Sequence, residues 1–242
     1  MGQISLSNKK AIFFDAGNTL IYAHPSGGEI YEKVSTQLGA KGVSAELLSK
    51  RFVQVFEQYM SSILSDSKGI PSSDELDWQL WRRITFQVYQ GIDGLKGIDF
   101  DTWFQRLYDV FGRAETWRMY EDVKEVLPRL RSMGFRLGVV SNWDTRLKAI
   151  IKGTGLEGML DFSVFSAEVG VRKPDVRIFE EALKVARVSP QEALHVGDLY
   201  EEDVLGARAA GIDSILLDRQ QRYIELAGTL RISSLNELLE LL

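Results

Sequence analysis

The chain has 242 residues, 45% of them hydrophobic, which is enough for one large domain or two smaller ones. A net charge of -5 without a dense Lys/Arg run argues against nucleic acid as a partner, and the absence of cysteine excludes disulfides and thiolate metal sites. No apolar run approaches the ~18 residues of a membrane span. The first ten residues carry no apolar signal core, and Leu6 stands where a myristoylation signal needs Ser or Thr. The expectation is a soluble cytoplasmic protein with no membrane partner; its oligomeric state is not readable.

In chain order, Ala11 to Phe14 is a short apolar run of the buried, parallel-sheet kind, and it ends on Asp15. Asp15-Ala-Gly-Asn-Thr19 then makes a turn. From about Glu29 to Phe111 the apolar residues fall at helical spacing. Tyr31, Val34 and Leu38 form one face, and Phe52, Val55, Phe56, Tyr59, Ile63 and Leu64 another. Trp78, Trp81, Ile84, Thr85 and Val88 follow, then Trp103, Phe104, Leu107 and Phe111. The aromatic residues read as core of an all-helical, four-helix-type insert.

From residue 123 helix and strand alternate. Helices are expected over Val123 to Met133, Leu147 to Gly153, Asp175 to Arg187, Val204 to Ala210 and Leu235 to Leu242. Strands are expected over Arg136 to Val140, Phe162 to Phe165, Ala193 to Val196 and Ser214 to Leu217. That alternation predicts an α/β fold, a Rossmann-like parallel sheet with helices on both faces. The first strand belongs to the same sheet. The α/β core is therefore discontinuous, residues 1–21 and 117–242, with residues 22–116 as the helical insert.

Polar clusters follow the core strands: Asp15 and Thr19, Ser141-Asn142, Lys173-Pro174, and Gly197-Asp198 with Glu201, Glu202 and Asp203 behind. In a parallel sheet these ends share one edge, where ligands bind. A carboxylate, a hydroxyl, a cation and paired acids meeting there suit phosphoryl chemistry. Taken singly, each has a plainer reading. Asp15, Ser141 and Asp198 fit turns, Lys173 fits a surface loop, and Glu201 to Asp203 fit a solvated helix start.

In order, the segments Phe14-Asp-Ala-Gly-Asn-Thr-Leu20, Val140-Ser-Asn142, Lys173-Pro-Asp175 with Ile178-Phe179, and Gly197-Asp-Leu-Tyr-Glu-Glu-Asp203 with Gly206-Ala207 span the chain. Together they resemble the haloacid dehalogenase superfamily of hydrolases. The helical insert sits as the cap does in C1-capped subfamily I members, and the likeness is strongest to the haloacid-dehalogenase-like and rhythmically expressed gene product branch. The resemblance implies a small phosphorylated substrate, Mg²⁺ as cofactor and an aspartyl-phosphate on Asp15. It makes Ser141 a hydrogen-bond donor to the phosphoryl group and Lys173 the charge-balancing cation. Thr19 and the backbone at Asn142 join them at the phosphate. It assigns the metal to Asp15, the Gly17 carbonyl and Asp198, with Asp203 in or near its outer shell.

One position departs. Phosphatases of this superfamily carry a second Asp two residues after the nucleophile, as general acid and base; here it is Gly17. Such help is worth roughly 10²–10⁴ in rate. Phosphonatase relatives use a cap lysine instead, for which Lys33, Lys41 and Lys50 are candidates. Dehalogenase relatives have a bulky tyrosine at that position and lack the metal acids. His24, just past the first motif, is the candidate replacement acid or base near the substrate. His195, inside a strand, reads as buried and structural; Asp144 and Arg146 are candidate substrate contacts. The expectation is a Mg²⁺-dependent hydrolase weakened at Gly17. A phospho-ligand-binding protein without turnover and a metal-free 2-haloacid dehalogenase are the alternatives.

Overall fold

The computed structural model describes residues 8–64 and 69–241, without the side chains of residues 63 and 64. The chain start weighed above, the side chains of Ile63 and Leu64, and Leu242 lie outside the described residues. Strand β1 (Ala11–Phe14) is followed by β2 (Ile21–Ala23) and by four helices, α1 (Gly27–Gln37), α2 (Ala45–Leu64), α3 (Asp74–Gln90) and α4 (Phe100–Phe111). Then come β3 (Trp117–Met119), α5 (Glu121–Ser132), β4 (Arg136–Ser141), α6 (Leu147–Thr154), β5 (Phe162–Phe165), α7 (Ser166–Val169) and α8 (Val176–Ala186). β6 (Ala193–Gly197), α9 (Gly206–Ala209), β7 (Asp213–Leu217), β8 (Arg231–Ile232) and α10 (Asn236–Leu241) complete the chain.

Six strands form one sheet in the order β5-β4-β1-β6-β7-β8, with every pair parallel. β1 lies inside it, with Phe14 opposite Val139 and Val196. Its alternate residues enter different cores. Ile12 and Phe14 pack with α5, α6 and α10, while Ala11 and Phe13 pack with α8 and α9. A strand covered on both faces needs apolar side chains at every position, so β1 reads as a continuous run and not an alternating one. Each large apolar side chain buried this way contributes about 1.5–3 kcal/mol.

The helical segment has a separate apolar core around Ile84, Val88, Trp103 and Leu107. Trp103 is fully buried, and its indole N–H donates to Ser35 Oγ at 2.8 Å, so the polar edge of the ring is satisfied inside. The chain enters and leaves this segment side by side, through an antiparallel ribbon that pairs Ile21 with Met119 and Ala23 with Trp117.

Three strands are additional to those expected, and one helix start needs correcting. β2, β3 and β8 have two or three residues each, too short to show a period, and they depend on partners distant in sequence. The expected helix from Val204 begins four residues earlier, as a wide π-helical turn over Tyr200–Leu205 that runs into α9. That wider turn carries Glu202 and Asp203 inward; they are buried, not a solvated helix start.

Candidate active site

Asp15 sits just past the C-terminal end of β1, anchored by its N–H to the Val196 carbonyl at 2.9 Å. Its Oδ1 accepts two bonds, from Ser141 Oγ at 3.0 Å and from Lys173 Nζ at 2.7 Å. Lys173 is 1% exposed and donates equally closely to Asp203 Oδ1, at 2.6 Å. Burial would strip the Lys173 charge, but Asp15, Asp203 and Glu202 outweigh it and hold the ammonium above its ordinary range. Burial pushes the Asp15 carboxyl up, against the pull of Lys173.

Asp203 is committed elsewhere than to a metal. Its Oδ1 takes Lys173 and His195 Nε2 (2.9 Å), and its Oδ2 takes the Leu199 N–H at 3.0 Å. Burial would raise it, but Lys173 and His195 win and hold it well below the usual carboxylate range. Asp203 therefore positions Lys173 rather than ligating directly. Gly197 makes room for it: a Cβ there would stand 2.1 Å from Asp203 Cγ. His195 is buried, held neutral chiefly by that burial, and its Nδ1 has no partner. Nε2 therefore carries the proton toward Asp203.

The Asn142 side chain is engaged within the protein. Its amide clamps the Lys173 backbone, accepting from the N–H at 2.7 Å and donating to the carbonyl at 3.0 Å, and also donates to Glu202 Oε2 at 2.6 Å. Burial pushes the Glu202 carboxyl up to about 7, against Arg172 and Lys173.

Asp198 is 4% exposed, and its carboxyl is pushed up to about 8, by burial first and then by the charges of Asp15 and Asp203. Arg222 opposes this from 2.8 Å. Among the described residues no group of three or more His, Cys, Asp or Glu side chains is disposed to hold a metal. Two carboxylates and a backbone carbonyl nevertheless suit Mg²⁺, which keeps several waters in its octahedral shell. The Leu20 and Ile21 N–H groups bond to the Ala16 carbonyl, while the Gly17 carbonyl accepts no bond among the described residues. Two buried acids and a carbonyl that accepts no bond among the described residues make a hard-oxygen donor set that fits a divalent cation. Thr19 is fully buried with its hydroxyl unpartnered, and its carbonyl accepts from Arg219 at 3.0 Å.

The remaining candidates lie apart from this network. His24 is exposed, its ring edge-on to Tyr22 with centroids 6.3 Å apart. Lys33, Lys41 and Lys50 are exposed, whereas a Schiff-base lysine needs desolvation or a cationic neighbour. Asp144 is buried, gripping Arg146 and Tyr108 of α4, so both residues join core to helical segment. Three residues escaped the sequence reading. Trp143 follows the second motif, and its ring stands 3.4 Å from where a Gly17 Cβ would be. Asp218 and Arg222 lie past the fourth motif; the polar residue directly after the apolar run of β7 was their signal.

Comparison with known proteins agrees with this arrangement. The haloacid dehalogenase-like hydrolase family model matches residues 9–211. Haloacid dehalogenase-like hydrolase domain-containing protein 3 of Bos taurus is 33% identical over 213 residues, covering 86% of this chain and 81% of that protein. Rhythmically expressed gene 2 protein of Drosophila melanogaster is 28% identical, covering 88% and 84%. A glyceraldehyde 3-phosphate phosphatase of Methanothermobacter thermautotrophicus is 32% identical, covering 70% and 79%. A crystal structure described as a dehalogenase superposes with a TM-score of 0.72 at 26% identity, covering 98% of both chains. The four strand-end clusters and these likenesses converge: the chain belongs to the haloacid dehalogenase-like hydrolases, on the branch that holds domain-containing protein 3 and the rhythmically expressed gene 2 protein.

Proposed function

We propose that this protein is a cytoplasmic, Mg²⁺-dependent phosphohydrolase that acts on a small phosphorylated metabolite through an aspartyl-phosphate on Asp15. The observation that carries this is the buried Asp15 carboxylate, fixed through one oxygen by both Ser141 and Lys173. The relative acting on glyceraldehyde 3-phosphate supports a phosphorylated metabolite. Residues 22–116 serve as a cap over a core of residues 1–21 and 117–242. In support, the helical segment has its own apolar core and is stitched to the core loops by Asp74 to Thr145 and Ser72 to Ser166.

In the first step the Asp15 carboxylate attacks phosphorus in line, and the bond to the leaving oxygen breaks with its electron pair. Lys173 offsets charge between carboxylate and phosphate, and the Ser141 hydroxyl turns to a phosphoryl oxygen. Mg²⁺ held by Asp15, the Gly17 carbonyl and Asp198 would supply further charge compensation there. In the second step water attacks phosphorus, the bond to Asp15 breaks, and phosphate leaves. No side chain at Gly17 protonates the leaving oxygen, so leaving groups stable as anions react fastest.

Gly17, with Trp143 beside it, favours a second reading: a phospho-ligand-binding protein that has lost turnover. Stopped-flow mixing with p-nitrophenyl phosphate and saturating Mg²⁺ separates them, because nitrophenolate leaves without an acid. A burst of one equivalent followed by slow turnover is expected. No release above an Asp15→Asn control establishes the binding protein, while metal-free halide release from a 2-haloacid establishes a dehalogenase.

A further inference from the structure

The strand β7 also delivers a carboxylate to the sheet edge, outside the four motifs. Asp218 is 2% exposed; its Oδ1 accepts the Arg222 N–H at 2.8 Å and its Oδ2 the Tyr223 N–H at 2.9 Å. Arg231 adds a bond to Oδ2 at 3.2 Å. These bonds pin a turn in which Gln221 adopts φ 56°, a left-handed conformation uncommon for a residue with a side chain. The turn aims Arg222 back across the edge. Its Nη2 donates to Asp198 Oδ2 at 2.8 Å and lies 3.4 Å from the Asp198 carbonyl oxygen. Asp198 Oδ1 accepts no bond among the described residues.

We propose that Arg222 is a positioning residue for the metal: it holds Asp198 Oδ2 and so leaves Oδ1 as the oxygen offered to Mg²⁺. This rests on the reading of Asp198 as a Mg²⁺ ligand. A ligating carboxylate is rarely left to choose its own rotamer, and the outer hydrogen bond that fixes it commonly governs affinity. Nothing else among the described bonds fixes the Asp198 side chain, so Arg222 alone does this work. The Arg222 side chain is 42% exposed and belongs to no apolar core, so its removal leaves the fold intact.

The test is calorimetric titration of Mg²⁺ into wild type, Arg222→Ala and Arg222→Lys, without substrate. Arg222→Ala should weaken Mg²⁺ binding about 10–100-fold, the usual consequence of losing such a partner, with an unchanged circular dichroism spectrum. Arg222→Lys should recover part of that loss by restoring a donor and a charge. Unchanged affinity in Arg222→Ala overturns the proposal. Tighter binding overturns it too, and makes Arg222 a competitor of the cation. If the wild type itself takes up no Mg²⁺, the metal reading fails and this inference with it; that result differs visibly from wild-type binding that ignores Arg222.

Discussion

Restoring a carboxylate at Gly17 tests the account of what this site lacks. Gly17 stands two residues past Asp15 in the turn that follows β1, beside the Trp143 ring. The backbone at Gly17 is outside the left-handed region, and an added Cβ would meet only Trp143 Cζ3, at 3.4 Å, an ordinary contact. Replacing a glycine where the conformation suits also narrows the unfolded ensemble, worth about 0.4–1 kcal/mol, so stability should change little. The catalytic return is larger: general acid–base help of roughly 10²–10⁴ lowers the barrier by about 3–5 kcal/mol. Steady-state turnover of an alkyl phosphate with saturating Mg²⁺ should therefore rise at least ~100-fold in Gly17→Asp. The burst with p-nitrophenyl phosphate should merge into steady turnover as aspartyl-phosphate hydrolysis catches up. If the indole steers the new carboxylate away, Gly17→Asp with Trp143→Ala should show the gain in full. Unchanged alkyl-phosphate turnover in both variants, with Mg²⁺ binding intact, would refute the reasoning. A matching loss in His24→Ala would then place the acid in the chain crossing.

Two further outcomes follow from the packing around Lys173. Gly197→Ala would put a Cβ 2.1 Å from the Cγ of an Asp203 pinned at both oxygens, so backbone must move. Overpacking of about 1–3 kcal/mol should lower the melting temperature by ~2–12 °C, and an unchanged melt would mean that Asp203 yields freely. Glu202 gives a pH signature. Its folded pKa, about 7, lies above the ordinary 4.5, so the folded state binds the proton more tightly. Stability is thus fully present below 4.5 and falls as pH rises through 7, by about 3 kcal/mol in all. Glu202→Gln keeps an acceptor for Asn142 and should flatten that decline; parallel melting curves for both proteins between about pH 4 and pH 8 would show that Glu202 is ionised throughout.

Much of the sheet was legible because its cause is local. β1, β4, β6 and β7 are buried on both faces, which forces short continuous apolar runs, and the polar residue ending each run marks the ligand edge. Asp15, Ser141 and Lys173 could be named from that rule and the resemblance, and the structure joins them by hydrogen bonds. The β2–β3 ribbon was not legible, since three residues have no measurable period and the pairing joins Ile21 to Met119 across the whole helical segment. The same limit hid the side-chain bonds of Asn142. Its amide faces the Lys173 backbone, and no local spacing encodes a bond between two loops 31 residues apart. Asp218 obeys the strand-end rule but lies past the last motif, directly after β7.

The division of labour among the acids explains why one site keeps several carboxylates in a buried pocket. Like charges this close disfavour joint ionisation, so each needs its own compensation. Asp203 has Lys173 and His195 and is held ionised; it serves to orient the ammonium. Asp198 has only Arg222, and its carboxyl stays high, so it is the acid with most to gain from a divalent cation. Asp15 shares Lys173 through Oδ1, while Oδ2 accepts no bond among the described residues. A nucleophile tied at both oxygens would be inert, and one tied at neither would be protonated by burial. Asp15 lies between these limits, with one oxygen fixed and the other left to the cation or to phosphorus. On the proposed mechanism, that asymmetry and the bare Gly17 favour formation of the aspartyl-phosphate and make its hydrolysis the slow step.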